Sequence, residues 1–236
     1  MSRRAGDWYA RRMHSALTGI EHEMPTNVRV IGLGGSLAAR SSTLAALKIA
    51  LSGAEEAGAR TELFDVRSMG LPMYTPEFEV VPPAVERLCH AVYEADGLLW
   101  ASPLYHGTIS GSFKNALDWL QLLSDRTPPY LTDKVVGLIS TAGGTQGLQA
   151  VNTMEFVVRA LRAWAVPLVI PIPQAWRAYD KEGHWHDLRI AEQLQALGKE
   201  VTRAARQFAS RVVTTPEIER VESQLQPITE EEATSE

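Results

Sequence analysis

Between residues 27 and 213 the chain alternates short, continuously apolar runs with longer stretches whose apolar side chains recur every three or four positions. The runs occupy residues 27–33, 60–66, 97–102, 134–140 and 167–172, and their Val, Ile and Leu content predicts strands. The periodic stretches predict helices at about 41–57, 83–95, 112–120, 148–164 and 187–213, with Gly58 placed to end the first. Runs apolar on both alternate sets of positions belong to strands covered on both faces. Strands alternating with helices imply right-handed crossovers and a parallel, doubly wound sheet. The expected architecture is therefore α/β: five parallel strands in the order 2-1-3-4-5 with helices on both faces. Ligands of such sheets sit at the strand C-terminal ends beside the switch point, here between strands one and three.

The connections at that edge carry the candidate chemistry. The first strand runs into Val30-Ile-Gly-Leu-Gly-Gly-Ser-Leu-Ala-Ala-Arg-Ser-Ser-Thr-Leu44. Ser36, Arg40, Ser41, Ser42 and Thr43 gather where a helix begins, and a helix start offers unpaired amides and a positive dipole to an anion. The nucleotide-triphosphate loop is excluded, because no Lys lies between Val28 and Leu47. The dinucleotide fingerprint is incomplete, because Leu37 stands where its third glycine belongs. Two readings remain: a monophosphate held by hydroxyls and amides, as at FMN sites, or an ordinary strand-to-helix turn with good caps. The third strand exits through Pro103-Leu104-Tyr105-His106-Gly107, a stiffened turn with an aromatic side chain and amides to offer a flat ring. The fourth exits through Thr141-Ala142-Gly143-Gly144, small enough for close backbone approach to a ring edge.

Composition narrows the function. In 236 residues the net charge is −5, which argues against nucleic acid or an anionic membrane as partner. No apolar run is long enough to span a bilayer. The single cysteine, Cys89, excludes an internal disulfide and a cysteine metal cluster. The reading is a cytoplasmic protein with an N-terminal extension (1–26), one ligand-binding domain (27–213) and an acidic C-terminal tail (214–236). His184 and His186 fall two apart and can share a metal only if a third ligand joins them, so a surface loop is the competing reading and no metal is assigned.

Gly35-Ser-Leu-x-x-Arg-Ser-Ser-Thr43, Ser102-Pro-Leu-Tyr-His-Gly-Thr-Ile-Ser-Gly-Ser-Phe-Lys-Asn-Ala-Leu-Asp-Trp-Leu120 and Ala142-Gly-Gly144 together resemble the NAD(P)H-dependent FMN reductases. The family's second block reads Ser-Pro-x-Tyr-x-Gly-x-x-Pro-Gly-x-Leu-Lys-Asn-x-Leu-Asp, and the Arg-Ser-Ser run is nearest the flavin reductases of two-component monooxygenases. The resemblance implies a flavodoxin-like fold, FMN at the three loops and NADPH or NADH as hydride donor. A hydride would pass from the nicotinamide to FMN N5, and electrons onward to free flavin, quinone, azo or another acceptor. It assigns Ser36, Arg40, Ser41, Ser42 and Thr43 to the phosphate. Pro103, Leu104, Tyr105, His106 and Gly107 inherit the ring contacts. The pyrimidine edge falls to Thr141, Ala142, Gly143 and Gly144. It also implies a homodimer or homotetramer, and a partner monooxygenase as electron consumer. Two departures stand out: Ala38 replaces an Arg common in relatives, with Arg40 as its substitute, and Ser110 replaces a frequent proline, with little expected consequence. The rival reading is a flavodoxin-like electron carrier or FMN sensor without NAD(P)H turnover. A hydrolase on this scaffold would want Gly-x-Ser-x-Gly, which no strand exit carries.

Overall fold

Val30, Ile31 and Leu33 anchor β1 (Arg29–Gly34), whose side chains are buried on both faces. In the computed structural model, which describes residues 27–179 and 185–209, β1 lies parallel to β2 (Arg60–Asp65) and β3 (Gly97–Tyr105). A two-residue strand, β4 (Thr108–Ile109), folds back antiparallel on the end of β3. Beyond β3 come β5 (Val135–Thr141) and β6 (Trp164–Ile172), both parallel. The sheet order is β2-β1-β3-β5-β6, with β4 paired to β3 off this path.

The expected five-stranded sheet is thus corrected to six strands. The cause is local. His106 (φ 48) and Gly107 (φ 85) both take left-handed backbone angles, the requirement of a two-residue hairpin whose twist suits its flanking strands. The third strand therefore continues to Tyr105 and turns back, where a loop after Ser102 was expected.

Helices cover both faces. α1 (Ser42–Glu56) follows β1, and a single turn, α2 (Val66–Met69), follows β2. α3 (Pro83–Tyr93) begins with proline at its first position, where no amide is needed. α4 (Gly111–Asp118) runs into a 3-10 turn at Trp119–Leu123. α5 (Gly147–Ala160) precedes β6, the short α6 (Ala175–Ala178) follows it, and α7 (Leu188–Ala209) is the longest. Alternation along the strands splits the core. Ile31, Leu33, Leu98, Trp100 and Leu138 pack with Val85 and Leu88 of α3, Phe113 of α4 and Met154 of α5. Val30, Leu99 and Ile139 pack with Leu47 of α1 and Leu197 and Val201 of α7. Gly53 and Gly198 let α1 and α7 meet backbone to backbone, since a Cβ at Gly198 would collide with the Ala50 carbonyl.

One boundary moves substantially. A helix to residue 164 was expected, but Arg162 (φ 66) leaves helical backbone and β6 starts at Trp164. Trp164 and Ala165 pair with Val135 and Val136, and a register shift before Leu138 accommodates Pro167, which has no amide to give a regular ladder. The described residues all fall in one compact unit. The extension at 1–26, the tail at 214–236 and His184 lie outside the described residues. Among the described residues no helix is long and apolar enough to cross a membrane, and no group of three or more His, Cys, Asp or Glu converges on a point.

Candidate functional site

The first loop is built on close packing. Gly34 pairs with Ala101 of β3, and the Gly35 amide donates to the Ala101 carbonyl at 2.8 Å. A Cβ on Gly35 would stand 2.5 Å from Phe113 Cβ, so only glycine lets the loop lie on α4. The Gly35 carbonyl accepts from Ser110 Oγ (2.5 Å) and Ser112 Oγ (3.0 Å). Ser36 is buried, and its Oγ accepts from the Ala38 amide at 3.2 Å. Ser41 caps α1, accepting from the Leu44 amide at 3.1 Å. Used as acceptors, both hydroxyls keep their O–H to donate. Helix geometry leaves the amides of Ser42 and Thr43 without an intrahelical acceptor at the positive end of the dipole. Arg40 stands exposed beside them.

The other two loops meet this one. Thr43 Oγ1 and Thr141 Oγ1 share a buried hydrogen bond of 2.5 Å, joining the start of α1 to the end of β5. Pro103 is buried, while Tyr105 is 53 % exposed at the cavity mouth. Beyond Thr141 the backbone is held from one side. The Ala142 and Gly144 carbonyls accept from the amides of Ala175 and Gln174, both at 2.9 Å. The Gly143 carbonyl accepts from Trp176 Nε1 at 3.3 Å. A trans peptide sets its N–H opposite its C=O, so these bonds turn the amides of Gly143, Gly144 and Thr145 away from α6. A Cβ at Gly143 would meet nothing within 4 Å, so the loop borders open space.

Together the loops enclose a cavity of about 650 Å³, in the range of roughly 300–1,000 Å³ typical of small-molecule sites. The first loop contributes Ser36, Arg40, Ser41, Ser42 and Thr43; the second Pro103, Leu104 and Tyr105; the third Thr141, Ala142 and Gly143. His106, Gly107 and Gly144 do not line it. The first two form the hairpin tip, and Gly144 lies one step farther along its loop. Ala38, which the sequence reading noted only as a departure from relatives, and Ala175, Trp176 and Tyr179, which it did not assign to the site, complete the wall. Ala175, Trp176 and Tyr179 sit on or beside α6, a single turn launched by Gln174 in left-handed backbone (φ 45), with no periodicity to announce it. The only sequence signal there is a large aromatic residue, Trp176, soon after the last apolar run.

The long second block does more than border the cavity. Ser110 caps α4 by accepting from the Phe113 amide at 3.2 Å, and its own amide donates to Ser102 Oγ at 3.0 Å. With its bond to Gly35, this makes Ser110 a joint between loops, contrary to the small role expected of it. Asn115 and Trp119 hold the chain before α3: both donate to the Pro72 carbonyl at 2.9 Å, and Asn115 Oδ1 accepts from the Tyr74 amide at 2.8 Å. Lys114 and Asp118 form an exposed i, i+4 ion pair, a surface contact of little energetic weight.

The donor set suits a ligand with a phosphate at one end and a flat polar ring at the other. The profile of the NADPH-dependent FMN reductases matches residues 28–177, which include all three loops. An NAD(P)H-dependent FMN reductase of Pseudomonas aeruginosa is 34% identical over 184 residues, covering 74% of this chain and 95% of that protein. The chain belongs to the NADPH-dependent FMN reductase family. FMN and NAD(P)H are therefore its cofactors, and its class is the flavin-dependent oxidoreductases. The match to the FMN reductase ArsH of Acidithiobacillus ferrooxidans, also 34% identical, spans 53% of this chain and only 52% of that protein. The fold is flavodoxin-like: a WrbA-like flavodoxin of Agrobacterium tumefaciens superposes with TM-score 0.55 at 18% identity, over 78% of this chain and 99% of that one.

Proposed function

We propose that this cavity holds FMN, with the phosphate on the first loop and the ring between the second and third, and that the protein oxidises NAD(P)H to reduce a small acceptor. The observation that carries the reading is convergence. Hydroxyls at the start of α1 line one cavity together with the residues of the β3 exit and of the β5 exit, and the Thr43–Thr141 bond ties the first of these to the last. Ser36, Ser41, Ser42 and Thr43 supply neutral donors, and Arg40 supplies charge. The third loop spends its carbonyls on α6, which frees its amides for ring oxygens that gain negative charge on reduction. Bound here, FMN supplies the redox chemistry, accepting a hydride from the nicotinamide and passing electrons to free flavin, quinone or azo compound. The protein binds, orients and covers; no side chain is needed as nucleophile. A homodimer or homotetramer in the cytoplasm, able to feed a partner monooxygenase, completes the proposal.

The test is anaerobic mixing of protein and FMN with NADPH and then NADH, following the visible flavin band. Rapid bleaching is expected. Bound FMN that stays oxidised would make the protein an electron carrier or sensor, and absence of FMN binding would refute the cavity assignment. The phosphate loop has its own test. Ser41→Ala with Ser42→Ala should weaken FMN at least tenfold, about 1.4 kcal/mol. Ser41 is also a helix cap, so the titration is run where urea melts show the variant folded.

A further inference from the structure

Trp176 is the wall residue that the phosphate and ring loops leave without a task. It is 63 % exposed, yet it is held. Its Nε1 donates to the Gly143 carbonyl at 3.3 Å, and the Arg177 guanidinium lies 4.7 Å from its ring centroid. Its helix is pinned by Gln174 and Ala175 on one side and by the His186 amide on the Ala178 carbonyl (2.9 Å) on the other. A large aromatic ring fixed in place and left in solvent forgoes the burial that favours such side chains. One face is occupied by the guanidinium, a cation–π arrangement that leaves the opposite face for a ligand. The indole also reaches the cavity from the carbonyl side of the third loop, whereas the amides offered to FMN face away from α6. Tyr105, 53 % exposed, supplies a second aromatic ring to the same cavity.

We infer that Trp176 determines co-substrate specificity by stacking on the flat ring of a quinone-class acceptor that takes electrons from the bound flavin. This rests on the FMN reading of the cavity. A planar ring gains the stacking contact, and a compact acceptor without a flat face does not. The protein loaded with FMN is compared as wild type, Trp176→Leu and Trp176→Phe, after an FMN titration of each. Turnover is measured with NADPH and either a benzoquinone or ferricyanide. In Trp176→Leu the KM for quinone should rise about tenfold, and the quinone-to-ferricyanide ratio of kcat/KM should fall about tenfold. Trp176→Phe keeps a ring and loses the bond to Gly143, and it should restore most of the ratio.

An unmoved ratio in FMN-loaded Trp176→Leu overturns the inference while the FMN reading stands. Trp176→Phe failing as badly as Trp176→Leu overturns it too, since the indole would then act through Gly143. So would loss of FMN from Trp176→Leu at concentrations that saturate the wild type, which would place the indole in the cofactor site. A wild type that takes up no FMN refutes both readings, and the titration shows this before any turnover is measured.

Discussion

At the scale of single residues, Gly35 and Ser110 show how the cavity depends on contacts one layer behind it. Gly35 presents no polar side chain, but its carbonyl collects two serine hydroxyls and its Cα rests on Phe113. Adding a methyl group there meets a buried aromatic ring that is itself packed edge-on to Trp100, with centroids 6.0 Å apart. Neither ring has room to move in a close-packed interior. Gly35→Ala should therefore cost about 1–3 kcal/mol by overpacking. The relief available to the chain is to lift the first loop, which separates Ser36 from the start of α1. FMN affinity should fall at least tenfold even where urea denaturation shows the variant fully folded. Affinity equal to wild type would show that the loop absorbs the methyl without moving its hydroxyls. Ser110 explains itself at the same scale. Proline in its place would be compatible with a helix start but would remove the amide bond to Ser102 and the hydroxyl bond to Gly35.

At the scale of elements, α4 acts as a clamp on the chain between α2 and α3. Asn115 uses both ends of its amide on Pro72 and Tyr74, and Trp119 adds its indole N–H and rings from Tyr74 and Phe78 at 5.2 and 5.6 Å. Asn115→Ala removes two of these bonds and leaves the Trp119 bond in place. The expected result is local: faster amide exchange at Tyr74 and faster proteolysis within residues 70–82, with the global urea midpoint little changed. A fall in the midpoint equal to that of a core truncation would mean the segment is part of the cooperative unit.

What was legible in the sequence divides along the same line. Strands such as Val135–Thr141 were readable because both faces are buried and every position had to be apolar or small. The run of hydroxyls at the start of α1 was visible in the sequence, but its second use was not separable there: Ser41 is also the cap of that helix. The His106–Gly107 turn and the end of α5 were not readable, because each depends on a non-glycine residue held in left-handed backbone by its surroundings. The α6 wall was not, because four residues make no pattern and the Trp176 indole is bonded to Gly143, 33 positions earlier in the chain.

At the scale of the whole molecule, the lone thiol reports on folding. Cys89 lies on the inner face of α3, 7% exposed, with Sγ donating to the Trp119 carbonyl at 3.5 Å. Burial pushes its pKa up from 9.0 to about 12, only partly offset by the charge of Arg126. In the unfolded chain the thiol gives up its proton above about pH 9, while in the folded protein it keeps the proton to about pH 12. The folded state binds the extra proton in that window, so stability falls as pH rises through it, by about 1.4 kcal/mol for each unit. Below pH 9 both states hold the proton and the contribution is constant. Cys89→Ala removes the titrating group and leaves the other alkaline titrations in place. The difference in unfolding free energy between wild type and variant should therefore be flat from pH 7 to 8.5. It should then shrink steadily between pH 9 and 10.5, the wild type losing ground. A difference that stays constant to pH 10.5 would mean that the thiol ionises in the folded protein as readily as in the unfolded one, through an opening between α3 and the Trp119–Leu123 turn that the packing of Leu88, Trp119 and Leu120 leaves no room for.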